Sequence, residues 1–199
     1  MCRLLETIRV ENRRIQNLKY HQARLDASSR LLFGANDGID LKTQLKIPDF
    51  VEEGIFKCRV IYDRKICGIN FEAYRPKAIH SLKLVYDDAI EYDYKYADRS
   101  TLNRLYAQRG SCDDILIVKQ GSITDTSFCN ILLFDGRHWF TPNPPLLAGT
   151  QRQSLIDKRA IQPRPIKETD LAGFSHFMLI NAMLGFDERR AREVARIEG

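Results

Sequence analysis

The sequence has no long apolar run: no stretch of its 199 residues approaches the ~18 residues of a transmembrane helix. Near its start it also lacks the apolar segment of a secretory signal. None of the five cysteines form a C-x-x-C pair, and their odd number argues against a disulfide framework or a zinc site. The sequence therefore predicts a reduced, cytoplasmic protein that binds neither a membrane nor a metal.

The motifs that identify many enzyme classes are absent as well. The sequence contains no G-x-G-x-x-G, no P-loop, no H-E-x-x-H and no G-x-S-x-G. The histidines lie too far apart to form a local metal cluster: His21, His80, His138 and His176. These absences remove several enzyme classes without naming one.

Basic residues are in modest excess: 31 Lys and Arg stand against 26 Asp and Glu, a formal net charge of +5. They are spread along the chain, which is typical of a solvated surface. The excess also favours encounter with an anionic substrate or a phosphate-bearing cofactor. No zinc-finger spacing or aromatic RNA-binding signature accompanies it, so we expect no nucleic-acid partner.

Strand-like and helical patterns are mixed along the chain, which predicts an α+β protein of two lobes. A helical stripe covers 18–33, and Gly34 and the Asn36-Asp37-Gly38 loop end it. Helices are also predicted at 98–109, with Asp98 as N-cap, and at 149–159. The tail from Asp187 is predicted to be helical or frayed. Strands are predicted at 4–10, 54–63, 65–74, 80–86, 115–119, 122–124, 130–134, 138–141 and 177–180. We expect a small N-terminal α/β lobe, residues 1–88, and a larger C-terminal α/β lobe, residues 89–199.

Four short polar stretches stand where neither a core nor a turn requires them: His21-x-x-Arg24, Lys95, Thr124-Asp125-Thr126-Ser127, and Leu147-Ala148-Gly149-Thr150-x-Arg152. The last opens a predicted helix on a glycine, where backbone N–H groups can hold a phosphate. Taken singly, each stretch is more typical of a structural role. Those roles are a surface salt bridge for Arg24, a solvated Lys95, a turn at Asp125 and a helix cap at Thr150.

A shared pattern covers most of the chain when five stretches are taken together: Leu5-Glu6-Thr7-Ile8-Arg9-Val10, His21-Gln22-Ala23-Arg24-Leu25 with Ser28, Lys95-Tyr96-Ala97-Asp98-Arg99, Ile123-Thr124-Asp125 through Cys129-Asn130-Ile131, and Thr141-Pro142 through Leu147-Ala148-Gly149-Thr150-Gln151-Arg152. Their order and spacing resemble the class-IV aminotransferase family, the fold-type IV enzymes that use pyridoxal 5′-phosphate (PLP). That family includes branched-chain and D-amino-acid aminotransferases and aminodeoxychorismate lyase. The last two stretches are the most specific.

The resemblance implies a PLP cofactor held as a Schiff base by Lys95, which also acts as acid and base at the substrate carbon. It implies that Asp125 keeps the pyridine nitrogen protonated and that Arg24 binds the phosphate. Four further residues are implied at the phosphate: Gly149, Thr150, Asn181 and Ala182.

Substrate choice is the part of the resemblance with the most departures. The opening strand, with Glu6, is substrate-side in the family, and the candidates for binding a substrate carboxylate are Arg9, Arg59 and Arg99. Asp125 stands where glutamate is usual and is one methylene shorter. Ser100 stands where the aminotransferase branches have a tyrosine after the lysine. The chain is also N-terminally shortened relative to the family, so part of the substrate-binding wall is expected to be missing.

The pattern from Lys95 to Arg99, together with Asn181-Ala182, favours an aminodeoxychorismate lyase-like enzyme of folate biosynthesis, which eliminates pyruvate to give 4-aminobenzoate. An amino-acid aminotransferase of the branched-chain or D-amino-acid type is the alternative. A non-catalytic PLP-binding protein with the same fold is the third possibility. The resemblance also implies a homodimer that takes a small amine or carboxylate substrate, with the cofactor between the two lobes.

Overall fold

The structure, a computed structural model, describes residues 2–34 and 38–199, which divide into two compact units. The first comprises Met1–Pro76 and Tyr94–Asp98, and the second comprises Lys77–Asp93 and Arg99–Gly199. This division differs from the one expected at residue 88. Leu82–Tyr86 falls in the second unit because it pairs in parallel with Asp114–Lys119. Tyr94–Asp98 falls in the first because its backbone hydrogen-bonds to the opening strand.

The first unit is built on an antiparallel sheet. Its described residues form strands β1 (Leu4–Glu11), β2 (Arg14–Ile15), β3 (Ile55–Tyr62) and β4 (Ile66–Ala73), and helices α1 (Leu18–Phe33) and α2 (Leu41–Gln44). The strands lie in the order β2-β1-β3-β4. The long strands agree with the predicted ones to within a few residues, whereas β2 and α2 are too short for a sequence pattern to reveal.

Strand β1 turns alternate side chains to opposite faces of this sheet, as a period of two requires. Leu4, Ile8 and Val10 are fully buried and share a core with Leu25 of α1. Glu6 has the same parity as these residues and is also fully buried. The odd-numbered side chains of β1 lie on the other face.

Helix α1 begins and ends where its pattern predicts. Four of its side chains are buried: His21, Leu25, Ser28 and Ser29. The first three belong to the predicted stripe, which also included Leu18 and Leu32, but Leu32 is 38% exposed. Gly34 ends the helix in the left-handed region, at φ 62°, and its N–H is donated to the carbonyls of Ser29 and Arg30. Glycine adopts that conformation without steric cost, which explains the stop. Asn36 and Asp37 of the predicted loop lie outside the described residues.

The second unit is built on a mixed sheet, to which its described residues contribute nine strands. Seven of them lie in the order β10-β9-β8-β7-β6-β5-β13, while β11 pairs with β8 and with β12. The elements are β5 (Leu82–Tyr86), β6 (Asp114–Lys119), β7 (Ser122–Thr126), β8 (Asn130–Phe134), β9 (Trp139–Pro142), β10 (Gln162–Arg164), β11 (His176–Ile180), β12 (Arg192–Glu193), β13 (Ile197–Glu198), α3 (Ser100–Tyr106), α4 (Thr150–Asp157) and 3-10 turns at Ala107–Arg109, Glu168–Gly173, Glu188–Arg190 and Val194–Arg196.

The centre of this sheet is buried almost without alternation. Nearly every side chain of β6, β8 and β11 is buried. Unbroken apolar runs of this kind are typical of strands covered on both faces. The polar side chains that are nevertheless buried here, such as Asp125 and Asn130, therefore require a specific explanation.

Two local expectations for this unit are wrong. Helix α3 starts at Ser100, and Arg99 occupies the N-cap position in place of Asp98. The reason is that the preceding segment is held extended, with the N–H of Ala97 donated to the carbonyl of Arg3. The tail after Asp187 is neither a continuous helix nor frayed, because β12 pairs with β11 and β13 pairs with β5.

Among the described residues, no helix combines the length and the apolar character needed to cross a bilayer.

Candidate functional site

Lys95 lies on a short extended segment that the first unit attaches to β1. The N–H of Leu5 donates to the carbonyl of Lys95 at 2.9 Å, and Leu4 and Tyr96 form an antiparallel bridge. Tyr94 and Tyr96 pack against the core of the unit, and Lys95 itself is half-buried. The position of the lysine is therefore fixed by backbone contacts to a central strand.

Beneath β1, Glu6 forms a buried polar cluster with two residues of α1. Arg24 donates from Nε to Oε1 of Glu6 at 2.8 Å and from Nη2 to Oε2 at 2.6 Å, which is a bidentate pair. Nδ1 of His21 lies 2.6 Å from the same Oε2. The side chains of Glu6 and His21 are fully buried, and that of Arg24 is 14% exposed.

The electrostatics of this cluster set the protonation of each member. Burial alone would raise the pKa of Glu6, but the Arg24 charge and hydrogen bonds from His21 and Arg24 outweigh it and lower that pKa to about 2. Burial lowers the pKa of His21, with Glu6 opposing that shift and the charges of Arg24 and Lys95 adding to it. At neutral pH Glu6 is therefore an anion, and His21 is a neutral ring that donates from Nδ1.

The two arginines expected on the substrate side in this unit lie on the other face of the sheet from Glu6. Thr7 is paired with Arg59, and Arg9 with Lys57, in the register of β1 and β3. Arg9 also forms an ion pair with Glu11 at 2.9 Å. The first sheet thus has one face with Arg9 and Arg59 and another face on which Glu6 contacts Arg24.

In the second unit, Asp125 at the end of β7 is a buried carboxylate with both oxygens engaged. Oδ1 accepts from Nδ2 of Asn130 at 2.8 Å, and Oδ2 accepts from the N–H of Leu147 at 2.7 Å. Burial raises the pKa of Asp125 to about 6, while these two hydrogen bonds and the charge of Arg152 act in the opposite direction. Asp125 is therefore mostly ionised at neutral pH, although it is buried.

The helix start expected to hold a phosphate is present. Gly149 is the N-cap of α4, and Thr150, which begins the helix, is buried. The first turn of a helix carries N–H groups without intrahelical acceptors, and these attract anions. Gly149 has an ordinary φ of −70°, which any residue can adopt. The backbone conformation therefore does not require glycine here, and the reason must be the space around it.

Arg152, in the first turn of α4, holds the Thr141–Asn143 segment in place. Its Nη2 donates to the carbonyl of Pro142 at 2.9 Å and to Oδ1 of Asn143 at 3.3 Å. Its Nε donates to Oγ1 of Thr141 at 3.3 Å. The arginine of the sequence signature is thus a buried structural tie between the loop and the helix.

We expect Arg152→Lys to lower the free energy of unfolding by about 2 kcal/mol, because an ammonium cannot replace a planar fork that serves three acceptors, two of them buried. Urea unfolding of the two proteins measures this. Arg104→Lys is the control, since the Arg104 side chain is 65% exposed and contacts Asp87 at the surface, and it should change stability by less than about 0.5 kcal/mol. Equal effects of the two substitutions would contradict the assignment.

Asn181 and Arg99 contact the turn that follows Asp125. Oδ1 of Asn181 accepts the N–H groups of Met183 and Leu184, and its Nδ2 lies 3.2 Å from Sγ of Cys129. Arg99 donates from Nη2 to the carbonyl of Ser127 at 2.7 Å. Both side chains therefore stabilise loops here, whatever further contacts they make to a ligand; Ala182 lies within the loop that Asn181 closes.

The predicted residues thus fall into two sets, each assembled within its own unit. Glu6, Arg24 and Lys95 lie in the first unit, and Asp125 and Gly149 lie in the second. Sequence reasoning assigned no role to His21 or Asn130, which contact these residues. The signal for His21 was its place on the buried stripe of α1, and Asn130 was marked by its position at the head of an apolar strand.

These two units, each with its own sheet, have the architecture of fold-type IV proteins. Residues 69–187, more than half of the chain, match the family model described as amino-transferase class IV. The chain belongs to that family.

Several known proteins are similar to the chain over nearly its whole length. An uncharacterized protein from Haemophilus influenzae is 39% identical over 187 residues, which are 93% of this chain and 100% of that protein. A crystal structure from Haemophilus somnus 129PT, provisionally named 4-amino-4-deoxychorismate lyase, is 33% identical with a TM-score of 0.81 and covers 94% of this chain and 98% of that one. A crystal structure from Mesorhizobium loti, provisionally named an amino-acid aminotransferase, has a TM-score of 0.81 at 19% identity, with 97% and 99% covered. The last likeness concerns the fold alone.

Proposed function

We propose that the chain is a PLP-dependent enzyme in which Lys95, Arg24 and Asp125 serve the cofactor. The observation that carries the proposal is the buried Asp125 carboxylate. Among the described residues, no cation lies within ion-pair distance of it, and its pKa is raised to about 6. A buried carboxylate without an ion-pair partner costs stability, and such groups cluster at functional sites.

The chemistry of the donor set fits PLP. A phosphate needs cationic and N–H donors, which the Arg24 guanidinium and the first turn of α4 offer. A guanidinium carries five N–H donors, so Arg24 can serve Glu6 and a phosphate at once. A protonated pyridine nitrogen needs an anionic acceptor, which Asp125 offers, and an aldehyde needs an amine, which Lys95 offers.

Each residue then has a defined task. When bound, PLP supplies an aldehyde that condenses with amines and a ring that withdraws electrons from the neighbouring carbon. Lys95 removes the proton from the amine-bearing carbon of the substrate. Asp125 holds a proton on the pyridine nitrogen, and Arg24, Gly149 and Thr150 hold the phosphate.

For the reaction, we propose lyase activity on aminodeoxychorismate. After Lys95 takes the proton, the C–O bond of the enolpyruvyl ether breaks at the adjacent ring carbon and the ring becomes the aromatic 4-aminobenzoate. The enolpyruvate that leaves takes up a proton and becomes pyruvate. The 33% identical structure from Haemophilus somnus, with its provisional lyase name, supports this choice. The substrate is a dicarboxylate, and binding of its carboxylates by Arg9, Arg59 or Arg99 stays a prediction.

The test is a panel of amines presented to the PLP-loaded protein. We expect aminodeoxychorismate to give pyruvate and 4-aminobenzoate in equal amounts, measured by a coupled dehydrogenase assay and by fluorescence. We expect amino acids to convert little of the cofactor to its amine form. Rapid conversion by an amino acid, with no 4-aminobenzoate from aminodeoxychorismate, would instead identify a transaminase.

Two further expectations remain predictions. A protein that binds PLP but turns over none of these substrates would be the non-catalytic relative considered above. Assembly as a homodimer is implied by the family resemblance, and the sedimentation coefficient of the purified chain measures it.

A further inference from the structure

The side chain of Asn130 contacts Asp125 and the loop before α4, and it lies against Gly149. Its Nδ2 donates to Oδ1 of Asp125 at 2.8 Å and to the carbonyl of Leu147 at 3.0 Å. Both partners are acceptors only, which fixes the orientation of the amide, with Nδ2 towards them. Oδ1 of Asn130 is therefore directed at Gly149.

Gly149 leaves the space that this amide fills. A β-carbon built on Gly149 would lie 1.9 Å from Oδ1 of Asn130 and 3.0 Å from its Cγ. Contacts under 3 Å are essentially never seen for a real β-carbon, so one of the two residues would have to move. Asn130 cannot move away from Gly149 without releasing Asp125, because one amide group places its Oδ1 against Gly149 and donates from its Nδ2 to Asp125.

The backbone adds to this arrangement. Strands β7 and β8 pair through Asp125 and Asn130, which lie opposite each other in the register. The side-chain hydrogen bond thus spans the same two residues as the backbone pairing. With the N–H of Leu147 on its other oxygen, the Asp125 carboxylate is held at both ends.

We propose that Asn130 is a positioning residue that fixes the Asp125 carboxylate, and that Gly149 is glycine because the Asn130 amide occupies the volume of a side chain. This proposal rests on the proposed function in one respect: the proposed function supplies the pyridine nitrogen that the Asp125 carboxylate faces in the loaded enzyme. The coupling between Asn130, Asp125 and Gly149 is a property of the chain itself.

Protonation follows from the same contacts. Burial raises the pKa of Asp125 to about 6, and the Asn130 amide, the backbone N–H groups of Leu146 and Leu147 and the charge of Arg152 oppose it. Removal of the amide takes away a donor that stabilises the anion. A larger share of the carboxyl would then be neutral at pH 7, and it would hold a proton on a pyridine nitrogen less well.

The first experiment is a pH titration by NMR of the full chain without cofactor, with ¹³C-labelled aspartate. It follows the side-chain carboxyl-carbon (Cγ) resonance of Asp125, which is assigned by its loss in Asp125→Asn. We expect Asn130→Ala to raise the titration midpoint by about 1 to 2 pH units, which corresponds to one hydrogen bond to a charged group. Asn103→Ala, at an exposed position of α3, should leave it unchanged. An unchanged midpoint in Asn130→Ala would overturn the proposal.

The second experiment uses urea unfolding to test the steric contact between Asn130 and Gly149. It compares one substitution in two backgrounds, so it stays informative if one variant is less stable. Gly149→Ala should lower the unfolding midpoint strongly in the native background and weakly in Asn130→Ala, where the clash is gone. Equal effects in the two backgrounds would refute the claim that the Asn130 amide occupies the space of a side chain at position 149.

The PLP readout separates this inference from the proposed function. In the loaded protein, Asn130→Ala should shift the pH profile of the visible absorbance in the same direction as the Asp125 midpoint. If the native chain binds no PLP while the titration and unfolding results hold, the proposed function fails and the positioning role of Asn130 stands.

Discussion

Lys95→Ala is expected to abolish the visible absorbance of the PLP-loaded protein and to lower turnover by at least about 10³-fold, because a single amine both holds the cofactor and moves the substrate proton. The variant should fold normally. The carbonyl of Lys95 and its neighbours make the contacts to β1, and alanine retains that backbone. Absorbance spectra of native and variant proteins after addition of PLP, together with pyruvate release, measure both effects.

Two controls make this result specific to position 95. Lys46→Ala removes an exposed lysine of the same unit and should leave the spectrum and the turnover unchanged. Borohydride reduction of the loaded native protein, followed by peptide mass analysis, should place the cofactor mass on the peptide with Lys95. The same mass on another lysine, or a visible band that survives in Lys95→Ala, would refute the assignment.

The elements that the sequence predicted well are those whose signals are local. Helix α1 combines a buried stripe with a terminal glycine, and both ends match the structure. The hairpin of β8 and β9 is marked by Asp135-Gly136, where Gly136 has a φ of 95° and Oδ1 of Asp135 accepts two backbone N–H groups. In each case the determining contacts lie within five residues of one another.

The elements that it missed depend on partners far away in the chain. Tyr94–Asp98 reads as the approach to a helix, and only its hydrogen bonds to Arg3 and Leu5 make it part of the first unit. The C-terminal strands are two residues each and exist because β5 and β11 offer them free edges. No local pattern distinguishes such segments from loops.

The candidate site shows the same limit. Family resemblance singled out Arg24 and Asp125, but it did not indicate which residues hold them. Glu6 lies 18 residues from Arg24, and its pairing follows from the packing of α1 on β1. One signal was available: strand periodicity places Glu6 and Arg9 on opposite faces, so that both could not have faced the same ligand directly.

Glu6→Gln is expected to lower the free energy of unfolding by about 3 kcal/mol at pH 7. The pKa of Glu6 falls from an ordinary value of 4.5 to about 2 in the folded protein, and each unit corresponds to about 1.4 kcal/mol. The breaking of a buried charge pair costs a similar amount, because Arg24 would keep its charge and lose its partner. Urea unfolding at pH 7 measures the loss.

The pH dependence of that loss identifies its origin. A carboxylate with a lowered folded-state pKa contributes fully above 4.5, and its contribution disappears as the pH falls towards 2. The difference between native and Glu6→Gln proteins should therefore shrink steadily between pH 4.5 and 2. Glu11→Gln is the matched control on the same strand: its partner is Arg9, its side chain is 40% exposed, and we expect a loss of less than about 1 kcal/mol. A Glu6→Gln loss no larger than this, or one that is unchanged at pH 2, would show that the Glu6–Arg24 pair does not stabilise the first unit through its charge.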